Sequence, residues 1–201
     1  MTAFITPTTA PRTIAFRIGP RQVNALRAAA LVVGGALFTA ALAQVTLHLS
    51  WTPVPVTGQT FAVLLVSASV GMRLGVASQA LYVVLGAIGL PFYAGGDGGW
   101  TVATGATAGY LVGFVLAAAV VGRLAERGQD RTVLTSLPAM LFGSAVIYAC
   151  GATWLAIDLD VSATKAIELG VTPFLLGDAI KVGIVGLGLP LAWRLLGDTK
   201  R

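Results

Sequence analysis

The sequence contains few charged residues. Its 201 residues include 13 Lys and Arg and 8 Asp and Glu, so charged residues make up only 10% of the chain. Soluble domains carry about 25% charged residues, and a soluble protein of this length would need more of them to cover its surface. This shortage excludes a cytosolic globular enzyme, a disordered protein and a nucleic-acid-binding protein.

The sequence also has only one cysteine, Cys150, and one histidine, His48. A single cysteine excludes a disulfide framework and a cysteine-rich zinc site. His48 has no second ligand nearby, so we interpret it as a residue at the membrane interface and predict no metal site. The motifs of zinc peptidases, serine hydrolases and nucleotide-binding P-loops are also missing, so the sequence predicts neither an enzyme nor a chain that hydrolyses ATP by itself.

Apolar residues are abundant instead. They make up 56% of the chain, and the mean hydropathy is +0.86. They are concentrated in continuous apolar segments, which indicates membrane-spanning helices, because the strands of a β-barrel would alternate between apolar and polar residues. Six such segments are present: 28–49, 56–72, 75–92, 104–122, 133–155 and 173–196.

The second and third segments are shorter than the roughly 20 residues that cross a bilayer core. They form either two short spans or one broken hairpin around the turn 72–74. We favour two spans, because with an even number and the N-terminus inside, every Lys and Arg except Lys165 and Lys181 lies on the inner side. The sequence thus predicts an all-α integral membrane protein with six transmembrane helices and cytoplasmic N- and C-termini. Its parts are a cytoplasmic tail 1–27, a six-helix membrane domain 28–196 and a cytoplasmic tail 197–201.

Two charged residues, Asp178 and Lys181, lie within the last apolar segment. Charges at membrane depth are costly and usually functional. Because they are three residues apart, they share a helix face and can pair, which reduces the cost of burying either one. In the six-span topology Asp178 lies about 8 Å and Lys181 about 12 Å from the outer end of the helix. They predict a site that opens outward; a purely structural ion pair is the alternative.

Two further segments on the predicted outer side are candidate parts of the same site. Segment 51–60 contains two prolines and then Gln59, whose amide offers both donors and an acceptor to a polar ring. Gln59 bonding only to the backbone is the alternative. Segment 89–100 holds Asp97 among glycines, and such a mobile loop suits a gate over a pocket. A plain connecting loop is the alternative.

Small residues at four-residue spacing occur in two segments. Gly105, Gly109, Gly113 and Ala117 belong to the fourth segment, where we expect them to pack within the helix bundle. Ala36 and Ala40 belong to the first segment. Such residues let two helices approach closely, so the pair in the first segment predicts either a docking face for a partner protein or internal packing.

Several of these segments together resemble the BioY family, the biotin-specific S-components of energy-coupling factor (ECF) transporters. The resemblance covers about residues 28–196, in the expected order. It rests on residues 53–65 (PVPVTGQTFAVLL), 81–91 (LYVVLGAIGLP), the glycine-rich loop 93–99, 109–114 (GYLVGF) and 173–181 (PFLLGDAIK). Relatives often carry a basic residue in the glycine-rich loop where this chain has Asp97.

The resemblance implies a function and a set of partners. It implies a multi-pass protein of a prokaryotic plasma membrane that binds biotin at the outer face, without a cofactor. It also implies docking, through Ala36 and Ala40, onto a membrane T-component that carries two ATPases. An S-component for another vitamin, such as thiamine or riboflavin, is one alternative, and a small membrane enzyme using Asp178 and Lys181 is another. The predicted biotin-binding residues are Gln59, Tyr82, Phe92, Tyr93, Tyr110, Asp178 and Lys181.

Overall fold

The computed structural model of the protein describes residues 13–18 and 24–197. These residues are almost entirely helical, and a two-stranded antiparallel ladder joins Thr46–Leu47 (β1) to Val56–Thr57 (β2). One-turn 3₁₀ helices occur at Ala94–Gly96 and Thr172–Phe174. The α-helices are α1 Ile14–Ile18, α2 Ala25–Ala43, α3 Gln59–Val70, α4 Met72–Ala87, α5 Trp100–Ala103, α6 Ala108–Glu126, α7 Val133–Asp158, α8 Ala163–Gly170 and α9 Leu175–Leu195.

Four helical stretches in the described part of the chain are long and apolar enough to cross a membrane. They are α2, α6, α7 and the bent stretch that runs from α8 through α9. The other two predicted spans correspond to the shorter helices α3 and α4, of 12 and 16 residues. The predicted all-α membrane architecture is therefore confirmed at the level of several apolar helices.

The boundaries of the first helix differ from the predicted segment 28–49. The helix ends at Ala43 because the chain turns into β1, and the N–H of Gly58 then donates to the carbonyls of Leu42 and Val45. Residues 44–58 therefore form an irregular cap at this end of the bundle. His48, which was expected near a helix end, lies in this cap.

The break between α3 and α4 is at Gly71, one residue before the predicted turn. Gly71 has φ +86°, a conformation that favours glycine. The N–H of Met72, at the start of α4, donates to Glu126 Oε1 at 2.9 Å, so a carboxylate from α6 caps this helix. A Cβ on Gly122 would lie 2.5 Å from the same nitrogen, and the glycine therefore allows α6 to approach the break closely.

Helix α6 is central and packs against α3, α4 and α7. Gly109 and Gly113 face α7, and a Cβ on Gly113 would lie 2.9 Å from Ile147 Cα. The expectation of packing within the bundle is confirmed for these two glycines and for Ala117, which is fully buried. Gly105 lies in the bend before α6, and a Cβ there would meet only the carbonyls of Thr101 and Val102. The buried apolar side chains form two clusters, one around Tyr110 and the other around Trp193, at opposite ends of the bundle.

Candidate functional site

A cavity of about 260 Å³ lies at the end of the bundle where α9 begins. A hydrogen bond and a strand ladder position its main walls: Thr52 Oγ1 donates to the carbonyl of Leu169 at 2.7 Å, and the β1–β2 ladder holds the cap in place. Its size is close to the lower end of the ~300–1,000 Å³ range of small-molecule pockets. Its lining comes from the cap (His48, Pro53, Val54, Pro55 and Thr57), the start of α3 (Gln59 and Thr60), the glycine-rich loop (Tyr93, Ala94 and Asp97), α5, α6 and the connection between them (Val102, Gly105, Ala106, Thr107, Tyr110, Leu111 and Phe114), Tyr148 of α7, Phe174, and Asp178 and Lys181 of α9.

Asp178 and Lys181 form the ion pair that their spacing predicts. Lys181 Nζ lies 2.6 Å from Asp178 Oδ1, and Asp178 is only 5% exposed. Thr60 Oγ1 donates to the same oxygen at 3.0 Å, and the Tyr148 hydroxyl donates to Asp178 Oδ2 at 2.6 Å. Three donors from three helices therefore fix the position of this carboxylate at the wall of the cavity.

The ammonium group of Lys181 uses all three of its N–H bonds inside the protein. It donates to Asp178 Oδ1 at 2.6 Å, to the carbonyl of Thr57 at 2.6 Å and to Thr60 Oγ1 at 3.1 Å. An ammonium group has three donors and no acceptor. Lys181 thus ties α9 to the start of α3 and has no spare hydrogen bond to offer to a ligand.

The carboxylate of Asp178, in contrast, retains one acceptor position. A carboxylate can accept about four hydrogen bonds. Within the described residues, Asp178 accepts two at Oδ1, from Thr60 and Lys181, and one at Oδ2, from Tyr148. The remaining position at Oδ2 can accept an N–H from a molecule in the cavity.

Gln59 lines the same cavity and is held by side chains, not by the backbone. Its Oε1 accepts from Thr57 Oγ1 at 2.6 Å, and its Nε2 donates to the Tyr82 hydroxyl. The second N–H of Nε2 has no partner in the part of the chain that the structure describes. Gln59 therefore presents one free donor, and its amide orientation is fixed from both sides.

The aromatic residues predicted from the sequence divide into two groups. Tyr93 and Tyr110 line the cavity, whereas Tyr82 and Phe92 do not. Tyr82 is fully buried, lies behind Gln59 and stacks on Phe92 with the ring centroids 6.4 Å apart. These two residues therefore support the wall, and the expectation that they lie on its surface is corrected. Tyr82 does not line the cavity because the side chain of Gln59 lies between the two.

Tyr93 and Tyr110 are fixed by hydrogen bonds that point away from the cavity. The Tyr93 hydroxyl donates to the carbonyl of Val83 at 2.7 Å, and burial raises the pKa of Tyr93 to about 12. The Tyr110 hydroxyl donates to the carbonyl of Gly170 at 2.6 Å. Because both hydroxyls are already used, these residues present their rings to the cavity. Phe174 extends this aromatic wall through an edge-to-face contact with Tyr110 at 6.3 Å.

The glycine-rich loop is a bonded wall of the cavity. The N–H of Tyr93 donates to the carbonyl of Asp97 at 2.9 Å, and the N–H of Gly99 donates to the carbonyl of Gly86 at 2.8 Å. Gly95, Gly96 and Gly99 have positive φ angles, which explains why the loop needs glycines. Its role as a gate stays a prediction.

Thr57, Thr60 and Tyr148 belong to the polar network, although the sequence did not single them out. Thr60 follows Gln59 directly, and the helical period would have placed it on a face next to Gln59. Tyr148 lies in an otherwise apolar segment. A tyrosine hydroxyl at membrane depth needs a partner, but no sequence pattern indicates that its partner is on α9.

The expectation of an exposed docking stripe at Ala36 and Ala40 is corrected by their burial. Their exposed fractions are 1% and 7%, and both belong to the internal apolar cluster around Tyr110. Helix α2 packs here against α4: a Cβ on Gly35 would lie 2.6 Å from Ser78 Oγ. The small residues therefore allow two helices of this chain to pack closely, which was the second of the two interpretations of this stripe.

A second buried carboxylate lies at the opposite end of the bundle. Asp130, in the α6–α7 loop, is fully buried and accepts a hydrogen bond at Oδ2 from Trp193 Nε1 at 2.7 Å. Its Oδ1 has no hydrogen-bond partner among the described residues. Burial raises the pKa of Asp130 from 3.8 to about 6, against the smaller lowering effects of the Trp193 bond and of the Arg131 charge.

The part of the chain that the structure describes contains no candidate metal-binding site. No group of three or more His, Cys, Asp or Glu side chains within residues 13–18 and 24–197 is arranged to hold a metal ion.

Comparison with known proteins identifies the family. The family model described as "BioY family" matches residues 13–198. The chain belongs to the BioY family. Curated relatives include the biotin transporter BioY of Rhizobium etli, 37% identical over 163 residues that cover 76% of this chain and 87% of the relative. The probable biotin transporter BioY of Pyrococcus horikoshii is 40% identical over 147 residues, 73% of this chain and 83% of the relative.

A solved structure shares the fold of this BioY-family chain. It is a crystal structure of the S-component for biotin from an ECF-type ABC transporter. The TM-score is 0.77 at 20% sequence identity, with 86% of this chain and 95% of the other covered. The curated relatives are named as transporters, and the neighbour is named as a transporter component, so the family is one of transport proteins and not of enzymes.

Proposed function

We propose that this chain is a biotin-binding membrane subunit that mediates biotin uptake as part of an ECF-type transporter. The family membership supports this proposal, since the relatives are named as biotin transporters. The fold supports it as well, because the matching structure is a biotin S-component.

The observation that carries the proposal is the free acceptor position of Asp178 in the cavity. The ureido ring of biotin has two N–H donors and one carbonyl. Asp178 Oδ2 can accept one of these N–H bonds, and the free N–H of Gln59 can donate to the carbonyl. The ion pair with Lys181 makes this end of the cavity neutral in total charge, which suits a neutral ring better than a carboxylate.

The rest of the cavity suits the apolar part of biotin. Tyr110, Phe114 and Phe174 form an aromatic wall, with Val54 and Leu111 beside it. Apolar surfaces with a few fixed polar groups are typical of small-molecule sites. The thiophane ring and the valeryl chain of biotin would lie against this wall, with the ureido ring at Asp178.

In the membrane we propose six spans, α2, α3, α4, α6, α7 and α9, with both termini in the cytoplasm of a prokaryotic cell. Arg73, Arg123, Arg127 and Arg194 lie at the end of the bundle opposite the cavity. Lys and Arg are enriched on the cytoplasmic side, so the cavity opens to the outside. Helices α3 and α4 are about 18 Å and 24 Å long, shorter than a bilayer core of about 30 Å, and their span requires local thinning of the bilayer.

The energy for uptake would come from partners. The sequence has no P-loop, and concentrating a scarce vitamin against its gradient needs an energy source. The proposed partners are a membrane T-component and its two ATPases. Because Ala36 and Ala40 are buried, the docking surface must use other residues.

Equilibrium binding of labelled biotin to the purified protein in detergent or nanodiscs tests the proposal. We expect saturable binding that unlabelled biotin displaces and that thiamine and riboflavin do not displace. Displacement by either of the other vitamins would favour a different S-component. A folded protein, judged by circular dichroism and thermal unfolding, that shows no saturable biotin binding would contradict the proposal.

A further inference from the structure

The polar groups of the cavity leave a ligand carboxylate without a counter-charge. The charged side chains that line the cavity are Asp97, Asp178 and Lys181. Asp178 and Lys181 neutralise each other across 2.6 Å, and Lys181 has no N–H to spare. Asp97 adds one negative charge, so the cavity carries a net negative charge when His48 is neutral. An anionic ligand would be repelled from such a cavity.

His48 is the one lining side chain in the described part of the chain that can add a positive charge. It follows β1 and is exposed, whereas Asp178 is 5% exposed. A Cβ on Gly95 would lie 3.7 Å from His48 Cε1, so the imidazole lies beside the glycine-rich loop. His48 therefore stands at the open mouth of the cavity, and Asp178 stands at its enclosed end.

We propose that protonated His48 is the counter-charge for the carboxylate of the ligand, so that binding of biotin is coupled to protonation of this histidine. The inference rests on the proposed function. With the ureido ring at Asp178, the carboxylate end of biotin points toward the mouth. Aliphatic carboxylates are ionised above about pH 5, and histidine is the side chain whose charge ordinarily changes between pH 5 and 8.

No other charged group around the mouth of the cavity provides a positive counter-charge for the ligand carboxylate. Asp97, from the loop, carries a negative charge and cannot attract an anion. Lys165 and Glu168 of α8, the helix that holds the cap through the Thr52 bond, pair with each other at 3.0 Å. The cap from residue 44 to residue 58 contains no other charged side chain.

The experiment measures the dissociation constants of biotin and of uncharged biotin amide between pH 5.5 and 8.5. Over this range the carboxylate of biotin stays mostly ionised, and biotin amide cannot ionise. We expect biotin to bind about two- to fivefold more tightly at pH 5.5 than at pH 8.5, with less than about a 1.5-fold change for the amide. His48→Gln should remove the pH dependence for biotin and leave the amide affinity unchanged.

Two further variants make the test independent of the glutamine substitution. His48→Lys, which keeps a positive charge throughout, should bind biotin at every pH about as tightly as the parent does at pH 5.5. Asp97→Asn should strengthen biotin binding at pH 8.5 and not affect the amide. Both positions, His48 and Asp97, are exposed, so matching thermal unfolding curves are expected for all three variants.

The outcomes separate this inference from the proposed function. Equal pH dependence for biotin and its amide, or an unchanged pH dependence in His48→Gln, would overturn the role of His48 while biotin binding itself persists. Absence of binding for both molecules at every pH would instead contradict the proposed function, and the inference would fail with it.

Discussion

Asp178, a residue of α9, and Asp130, which contacts α9 through Trp193, are both buried aspartates, but their surroundings differ. Asp178 lies near the start of the helix, receives hydrogen bonds from Thr60, Tyr148 and Lys181, and faces a cavity. Asp130 contacts Trp193 near the end of the same helix, about 22 Å away along its axis. It receives one hydrogen bond from that side chain, and its other oxygen has no hydrogen-bond partner among the described residues.

The difference shows that two buried carboxylates of one protein can have very different polar surroundings. Removing a charge from water costs several kcal/mol unless partners replace the water. Asp178 has a counter-ion and two hydroxyl donors, and one acceptor position remains for a ligand. For Asp130 the burial outweighs its partners, and the pKa rises to about 6. Burial alone therefore does not indicate a binding site.

The largest expected effect comes from breaking the supported pair. Asp178→Asn leaves the Lys181 ammonium buried without its counter-ion, which should lower the free energy of unfolding by about 3–5 kcal/mol. It also removes the charged acceptor, so biotin affinity should fall at least about tenfold. Chemical denaturation in detergent and binding of labelled biotin measure the two effects.

The double variant Asp178→Asn/Lys181→Met provides the control for this prediction. It removes both charges, so we expect it to recover much of the lost stability but not the biotin affinity. Parent-like affinity in Asp178→Asn and in Lys181→Met would show that the pair is only structural.

Asp130→Asn should have the opposite effect on stability. The native pKa of about 6 lies above the unfolded value of 3.8, so the native state binds the proton more tightly. The stability that this provides is fully present below about pH 4 and is lost as the pH rises through 6. At pH 8 the asparagine variant should therefore be more stable than the parent by up to about 3 kcal/mol, and below pH 4 the two should agree.

Denaturation curves at several pH values measure this difference, and labelled biotin binding provides the contrast with Asp178. We expect the biotin affinity of Asp130→Asn to stay within about twofold of the parent, since the cavity lies at the other end of α9. A stability difference that grows as the pH falls would contradict the assignment of a raised pKa.

A smaller effect is expected from Tyr148→Phe, which removes one donor to Asp178 and keeps the ring. The loss of one hydrogen bond to a charged group costs about 1.5 kcal/mol or more. Because the charged acceptor itself remains, we expect the biotin affinity to fall by no more than about tenfold. The matched control is Tyr82→Phe, which removes the partner of Gln59 behind the cavity wall and should change affinity less. Biotin titration measures both effects. If Tyr82→Phe lowered the affinity more than Tyr148→Phe, the inference that Tyr148 lies closer to the ligand than Tyr82 would be wrong.

Sequence reasoning predicted the interactions between residues close together along the chain, and it could not predict most of those between distant segments. The pairing of Asp178 with Lys181 depends on positions three residues apart in one helix, so it could be predicted from spacing. The packing of Gly113 against α7 could be predicted because small residues at this spacing have one main use in helix bundles. The burial of Ala36 could not, since a stripe of small residues fits a neighbouring helix and a partner protein equally well.

The sequence alone determined the membrane character, the apolar helices and the presence of a paired charge within the last of them, because these depend on composition and on contacts within one helix. Only the tertiary structure decided which side chains surround that pair. Thr60 and Tyr148 are 118 and 30 residues from Asp178 along the chain, and no local pattern joins them. The position of Tyr82 behind Gln59, and of His48 at the mouth, likewise follows from how α3, α4 and the cap pack together.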